Sequence, residues 1–80
     1  MMQDVYLIIS NYETRSKVHA VCTKEQAIVH FNLMCKFKPE HWIKENCSST
    51  HNVKYYELDE YDNKVFKEHL YIEKRTILGS

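Results

Sequence analysis

The stretch VCTKEQAIVHFNLMCKFKPEHW, residues 21–42, carries the long helical pattern of this 80-residue sequence. Its T-K-E-Q segment, from Thr23 to Gln26, is a capping box: the threonine hydroxyl accepts a hydrogen bond from a backbone amide of the first turn, and the glutamine reaches back to the amide of the cap. Pro39 lacks an amide proton and disfavours helical geometry at the residue before it. The pattern therefore predicts a helix over residues 24–37 that stops or kinks at Pro39.

Two apolar stripes run along this predicted helix. The first is continuous at 3.6 residues per turn and suits packing on a sheet; its members are Ala27, Ile28, Phe31, Met34 and Cys35. The second lies on another flank, at i, i+4 and i+8, where a surface helix ordinarily carries charge; its members are Val29, Leu33 and Phe37. Leaving the second stripe in water is unfavourable, because apolar burial contributes about 25 cal/mol per Å².

Two explanations of the second stripe stay open from the sequence. In the first, the segment after Pro39 folds back, and Trp42 or Ile43 packs onto Leu33 and Phe37. In the second, the stripe binds a protein partner or forms a homodimer seam, with Phe37 and Trp42 as aromatic anchors of the kind that dominate interface energetics. The predicted protein-binding residues are Val29, Leu33, Phe37 and Trp42.

The segments around the helix alternate as strands do. Residues 4–12 are apolar on both faces, which predicts a central strand, and residues 18–22 read as its hairpin partner, with Val18, Ala20 and Cys22 facing inward. Residues 53–61 form a third strand, and Asp62-Asn63 is a hairpin turn into residues 64–77, whose spacing fits a strand or a helix and is assigned to strand. Pro39 opens a short extra helix. The prediction is an α+β fold, ββαββ, with about four antiparallel strands and one helix on one face.

Length and charge limit the classes of function. Eighty residues make one small domain without room for a second core. Eleven basic and eleven acidic residues cancel, so the chain lacks the global field that attracts proteins to phosphate backbones. Three cysteines without paired spacing, and no signal-peptide pattern or apolar run of membrane-spanning length, predict reduced thiols in the cytoplasm and no membrane.

The Cys and His residues fail the spacing test for a metal site. His19 and Cys22 point to opposite faces of a strand, and His30 and Cys35 lie about 140° apart around a helix. His41, Cys47 and His51 remain as a zinc alternative, but a structural zinc site needs four ligands. We expect no metal and no cofactor.

Catalysis has equally weak support in the sequence. The candidate nucleophile of a thiol enzyme is Cys22, because a thiol next to the start of a helix can become more reactive. Glu57 and Asp59 share a strand face and are best explained as a charged edge strand that deters aggregation. The single glycine, Gly79, provides no phosphate-binding loop. We therefore expect no catalytic residues and no small-molecule substrate.

A nucleic-acid-binding module is the other alternative class. It would stack bases on aromatic side chains of the sheet, with tyrosines lying among lysines at Tyr55, Tyr56, Tyr61 and Tyr71. Tyrosines in strands more commonly bury their rings and leave the hydroxyl in water.

The segments DVYLIISNYE, VHAVCTKEQAI and YYELDEY resemble a group of short uncharacterised proteins of phages, prophages and bacteria, in which a VYL strand, a hairpin partner, a helix opening with Ser/Thr-x-E and a YELD strand recur. The resemblance covers residues 4–61. This chain lacks the glycines expected after the helix, so the loop 39–52 cannot be carried over, and no catalytic residues come with the resemblance. It implies a small phage-encoded protein that binds and disables a host protein such as a polymerase or a defence nuclease.

Overall fold

The computed structural model describes residues 2–21, 23–47 and 50–78. The strands are β1 (Met2–Asn11), β2 (Ser16–Val21), β3 (Ile43–Asn46), β4 (Asn52–Leu58) and β5 (Lys64–Leu78), and helix α1 (Lys24–Lys36) follows β2. The strands form one antiparallel sheet in the order β2-β1-β5-β4-β3. The α+β class with one helix is confirmed, and the sheet has one strand more than the four predicted.

The two long strands form the middle of the sheet. β1 pairs with β2 on one side and with β5 on the other, which agrees with its apolar side chains on both faces. β5 pairs with both β1 and β4, so the ambiguous segment 64–77 is a strand as predicted. Ile8 and Leu70, one from each strand, are fully buried and belong to the core beneath the helix.

Helix α1 begins and packs as the sequence predicts. The Thr23 hydroxyl accepts a hydrogen bond from the amide of Gln26 at 3.2 Å, which satisfies one of the free donors of the first turn. Ala27 and Phe31 are buried and join the core cluster, with Met34 and Cys35 packed against it. The first stripe is therefore the face of α1 that rests on the sheet.

The predicted short helix after Pro39 is wrong. The Trp42 amide donates to the Pro39 carbonyl at 3.1 Å, which closes a single turn, and the chain then extends as β3 along β4. Burial alternates along Ile43, Lys44, Glu45 and Asn46, as expected for a strand. A proline that suits the first turn of a helix also suits an isolated turn. The four residues of β3 are too few to show a local pattern that distinguishes a short helix from a turn followed by a strand.

The predicted inward face of β2 is also wrong. Val18 and Ala20 are exposed, Val21 packs against the core, and Cys22 lies outside the described residues. The loop of residues 12–15 is closed by a hydrogen bond from the Tyr12 amide to the Arg15 carbonyl at 2.7 Å. With this loop, Ile8 pairs with His19 and Tyr6 pairs with Val21. A one-residue shift of register exchanges the two faces of a strand.

The turn between β4 and β5 contains the predicted Asp62-Asn63 but is longer than predicted, because β4 ends at Leu58 and not at residue 61. A carboxylate oxygen of Asp59 accepts from the amides of Tyr61 at 2.8 Å and Asn63 at 2.9 Å, and Asp62 adopts φ 62°, a region that Asp tolerates better than most residues. The explanation of Glu57 and Asp59 as one charged edge strand fails for Asp59, which lies in the turn after β4, whereas Glu57 lies one residue beyond the β3–β4 pairing that ends at Tyr56.

Candidate protein-interaction surface

Three apolar side chains of α1 face solvent. Val29 is 59% exposed, Leu33 47% and Phe37 78%; we call these three residues the outer stripe. Phe37 is the C-cap residue of α1. Exposure of this extent means that the segment after Pro39 does not cover them, so the fold-back of Trp42 or Ile43 onto Leu33 and Phe37 is not observed.

The direction of the outer stripe follows from the buried side of the same helix. Ala27 and Phe31 are buried against the sheet. Val29 and Leu33 each come two residues after one of these, a rotation of about 200° around the axis at 3.6 residues per turn. The packing that holds α1 on the sheet therefore directs the outer stripe away from it.

A buried ionic contact fixes the end of α1 that carries Phe37. Lys38, the next residue, places its Nζ 2.5 Å from Oε1 of Glu68 on β5. The Glu68 side chain is fully buried and accepts a hydrogen bond through Oε2 from the hydroxyl of Ser10, which is also buried. The contact joins the helix exit to the two central strands of the sheet.

Tyr55 lies close to this buried cluster. Its hydroxyl is buried and has no hydrogen-bond partner among the residues described. Burial raises the pKa of Tyr55, and the neighbouring Cys35 thiol and Glu68 carboxylate raise this pKa further. The hydroxyl therefore stays protonated at neutral pH and does not serve as a general base there.

Trp42 lies apart from the exposed group. It is half-buried, packs against the core and places its ring centroid 6.0 Å from that of Tyr55. Its indole N–H donates to Oε2 of Glu57 at 3.0 Å, and Nε2 of His41 lies 2.6 Å from the same oxygen. The hydrogen bonds from His41 and then Trp42 lower the pKa of Glu57. The structure thus assigns three of the four predicted residues to an exposed surface and attaches the fourth, Trp42, to the sheet.

A shallow groove extends the outer stripe at its N-terminal end. Its lining is formed by Val21, Glu25, Gln26, Val29 and His30. Val21 and His30 were not predicted as surface neighbours of Val29, because the predicted inward face of β2 was the opposite one. In the structure the rings of His19 and His30 stack with centroids 6.0 Å apart, which brings β2 beside this part of α1.

The residues of the zinc alternative have separate structural contacts. His41 contacts Glu57, and the rings of His51 and Phe31 lie at an angle of 87° with centroids 5.4 Å apart. The Cys47 amide donates to the Asn52 carbonyl at 2.9 Å in the β3–β4 connection. Within residues 2–21, 23–47 and 50–78, no three side chains of His, Cys, Asp or Glu are grouped so that they could hold a metal ion.

The tyrosines of the nucleic-acid alternative do not form one stacking surface. Tyr55 is buried in the core, whereas Tyr56 pairs with Phe66 at a ring distance of 6.1 Å and lies under the Lys64 ammonium at 5.3 Å. Tyr71 contacts His69 at 4.7 Å, and Tyr61 is exposed in the β4–β5 turn. The described tyrosines are therefore spread over the core, the sheet and a turn.

Comparison of the chain with family models, with curated proteins and with solved structures gives no match. In the part of the chain that the structure describes, no helix has the length and apolar character needed to cross a membrane.

Proposed function

We propose that this chain is a small non-enzymatic protein-interaction module that inserts the outer stripe into an apolar groove of a partner protein. The observation that carries the proposal is the exposure of Val29, Leu33 and Phe37 at i, i+4 and i+8 on one helix. This spacing is the arrangement with which amphipathic helices occupy hydrophobic grooves.

The area of the outer stripe favours a groove over a seam between two helices. Its three side chains are between 47% and 78% exposed. They present roughly 300 Å² of apolar surface, since an aromatic side chain has on the order of 150–250 Å² and valine and leucine have less. Stable interfaces bury about 800 Å² per partner, so two outer stripes packed against each other fall well short. A concave partner covers the flanks of the helix as well, including the groove beside Val29.

Burial of the outer stripe contributes a favourable term to capture. At 25 cal/mol per Å², roughly 300 Å² corresponds to about 7.5 kcal/mol, from which the costs of association are subtracted. Phe37 is the natural anchor, because large aromatic side chains dominate interface energetics and it is the most exposed of the three. The zero formal net charge agrees with a binding surface that does not depend on long-range electrostatic attraction.

The buried polar groups support a role without chemistry. Glu68 is engaged by Lys38 and Ser10, and the Tyr55 hydroxyl is buried and protonated. Neither group meets the requirement that a catalytic acid or base reach a substrate proton.

The proposed biological setting rests on the sequence resemblance of residues 4–61. We place the chain in the cytoplasm of a host cell as a phage-encoded inhibitor of a host protein such as a polymerase or a defence nuclease. An inhibitor of this kind acts by occupying a surface, which is what the outer stripe provides.

A paired-variant capture experiment tests the proposal. The double variant Leu33→Glu/Phe37→Glu places two charges in the outer stripe, and Asn32→Glu adds a charge at an exposed position of the same helix outside it. We expect the parent chain and Asn32→Glu to retain the same partner from host lysate, and the double variant to lose it while its unfolding midpoint stays close to that of the parent.

Two results would contradict the proposal. Undiminished capture by the double variant would place the binding surface elsewhere. Binding of nucleic acid by the parent chain with an affinity that falls steeply with salt would favour the alternative class instead.

A further inference from the structure

The two central strands extend well beyond the rest of the sheet. The β1–β2 pairing ends where Tyr6 meets Val21, and the β4–β5 pairing ends where Asn52 meets Tyr71. Beyond these points β1 and β5 continue as a two-stranded ribbon up to the pair of Met2 and Leu78. We call residues 2–5 and 73–78 the arm.

The arm accounts for the elongated shape of the molecule. The principal extents are 55 × 23 × 21 Å and the radius of gyration is 14.6 Å, whereas a compact chain of this length has a radius of gyration of about 12 Å. A two-stranded ribbon is marginally stable in water on its own and gains stability from a third strand.

One edge of the arm presents backbone groups that need partners. The Ile72 amide donates to the His51 carbonyl at 3.1 Å, so the backbone groups of Ile72 point away from β1. In an antiparallel strand both groups of one residue point to the same side, and alternate residues share that side. Lys74, Thr76 and Leu78 therefore direct N–H and C=O to the outer edge of β5, where no strand among the described residues pairs.

The side chains of the arm are neutral as a group. Lys74 lies 3.5 Å from Asp4 and Arg75 lies 3.1 Å from Glu73, while the Thr76 hydroxyl donates to Asp4 at 2.8 Å. Charged side chains on an edge usually keep other strands away, but here opposite charges are matched within the arm.

The apolar side chains of the arm are exposed. Met2 is 69% exposed, Ile77 49% and Leu78 86%. The arm thus combines an open backbone edge, matched charges and uncovered apolar side chains, which are the properties of a strand-addition site.

We propose that a second copy of this chain adds its own β5 to this edge in antiparallel orientation, with a twofold axis at Thr76. Two restrictions narrow the register, and an axis at Thr76 lets five residues of β5, 74–78, pair with the second copy, whereas an axis at Ile77 lets only three pair. Residues directly opposite each other must share a face, so the axis passes through a residue. An axis at Lys74 or Arg75 would set like charges directly opposite each other, which is destabilising. An axis at Lys74 would also require the backbone amide of Ile72 to pair with the second copy, but this amide already donates to the His51 carbonyl.

The register centred on Thr76 provides favourable neighbours. Lys74 lies opposite Leu78 of the second copy, and Arg75 lies opposite its Ile77. The ammonium of Lys74 is held by Asp4 and the guanidinium of Arg75 by Glu73, so their aliphatic stems are left to cover the apolar side chains across the interface. The most exposed apolar side chain of the arm is covered in this way.

The dimer has a defined overall architecture. Strand addition about an axis perpendicular to the sheet keeps the two faces distinct, so two five-stranded sheets join into one sheet with both α1 helices on the same side. The two outer stripes then face the same direction, and a partner with two grooves would bind with increased avidity. The dimer itself does not depend on the proposed function.

Analytical ultracentrifugation of the full chain over concentrations up to about 500 µM, the range of weak association, tests the dimer. Thr76→Pro removes the N–H at the axis from both copies, and proline is compatible with an edge strand. Thr76→Ala is the matched control, since it removes the hydroxyl and keeps the N–H. We expect the parent chain and Thr76→Ala to dimerise and Thr76→Pro to weaken dimerisation at least tenfold.

Covalent trapping gives a second readout that does not require the proline variant to fold. Opposed residues exchanging backbone hydrogen bonds have Cα atoms about 5.5 Å apart, within the range of a disulfide. Thr76→Cys is expected to form a linked dimer under mild oxidation faster than Ile77→Cys, whose equivalents do not face each other.

Three results would overturn the arm dimer. A parent chain that is monomeric throughout the concentration range, or a Thr76→Pro variant that folds and dimerises like the parent, would exclude this edge. If Leu33→Glu/Phe37→Glu lost dimerisation and Thr76→Pro kept it, the dimer interface would lie on the outer stripe. This pattern would also distinguish failure of the arm dimer from failure of the groove-binding function.

Discussion

Lys38 Nζ lies 2.5 Å from Oε1 of Glu68, and this contact joins the end of the helix to the longest strand across thirty positions of sequence. The carboxylate is fully buried and the lysine side chain nearly so. A buried ion pair contributes little net stability compared with apolar residues of the same volume, but loss of one partner leaves an uncompensated buried charge. The pair therefore attaches the residue after Phe37 to the middle of the sheet.

Removal of the Lys38 charge should destabilise the fold strongly. Lys38→Met keeps the aliphatic stem and leaves Glu68 buried without its cation, so we expect the free energy of unfolding to fall by about 3–5 kcal/mol. Urea denaturation followed by tryptophan fluorescence measures this change, because Trp42 packs on the core.

The double variant Lys38→Met/Glu68→Leu is the matched control for this prediction. It removes both charges, so most of the lost stability should return, since apolar replacement of a buried ion pair is often neutral or better. A single variant as stable as the parent chain, or a double variant less stable than Lys38→Met, would contradict the assignment of this contact as a buried ion pair.

Acid sensitivity should arise first at His69. Burial, and secondarily the Lys54 charge, lowers the pKa of His69, and its Nε2 lies 2.6 Å from the Asn52 side-chain oxygen. The unfolded chain then binds a proton more readily than the folded chain, so stability is complete above the unfolded pKa of about 6.5 and declines as pH falls from there toward the lowered folded value.

Denaturant titrations at a series of pH values test the role of His69. The parent chain should lose stability as the pH falls below about 6.5, and His69→Gln should show a shallower decline there. Glu57 and Asp59 also have lowered pKa values, but carboxylate contributions of this kind are lost at more acidic pH. Equal slopes for the two chains would show that His69 is not responsible.

The parts of the fold that the sequence predicts are those with local signals. The capping residues Thr23 and Gln26 and the alternating apolar residues of β1 are contained in short segments, and the structure agrees with both. The outer stripe is also a local pattern, because its residues follow from spacing along one helix. The function that we assign to it remains a prediction.

The parts that the sequence analysis missed depend on contacts between distant segments. The register of β2 is set by the loop at residues 12–15, so Val21 and not Val18 packs on the core. Glu68 lies in a charged segment, and the sequence predicts a surface residue there because glutamate is rarely buried unless it is paired. Its partner Lys38 is thirty residues away in the sequence, so no local pattern reveals the pair. Trp42 likewise finds Glu57 across the sheet, which no local spacing reveals.

Site-specific photo-crosslinking at Leu33 tests the central claim most directly. A photoreactive phenylalanine analogue at position 33 lies in the middle of the outer stripe, and the same analogue at the exposed Thr14, in the β1–β2 loop, serves as the control. We expect position 33 to form a covalent product with one partner protein and position 14 to form none. The same product at both positions, or none at position 33 while the chain still captures its partner, would contradict the central claim.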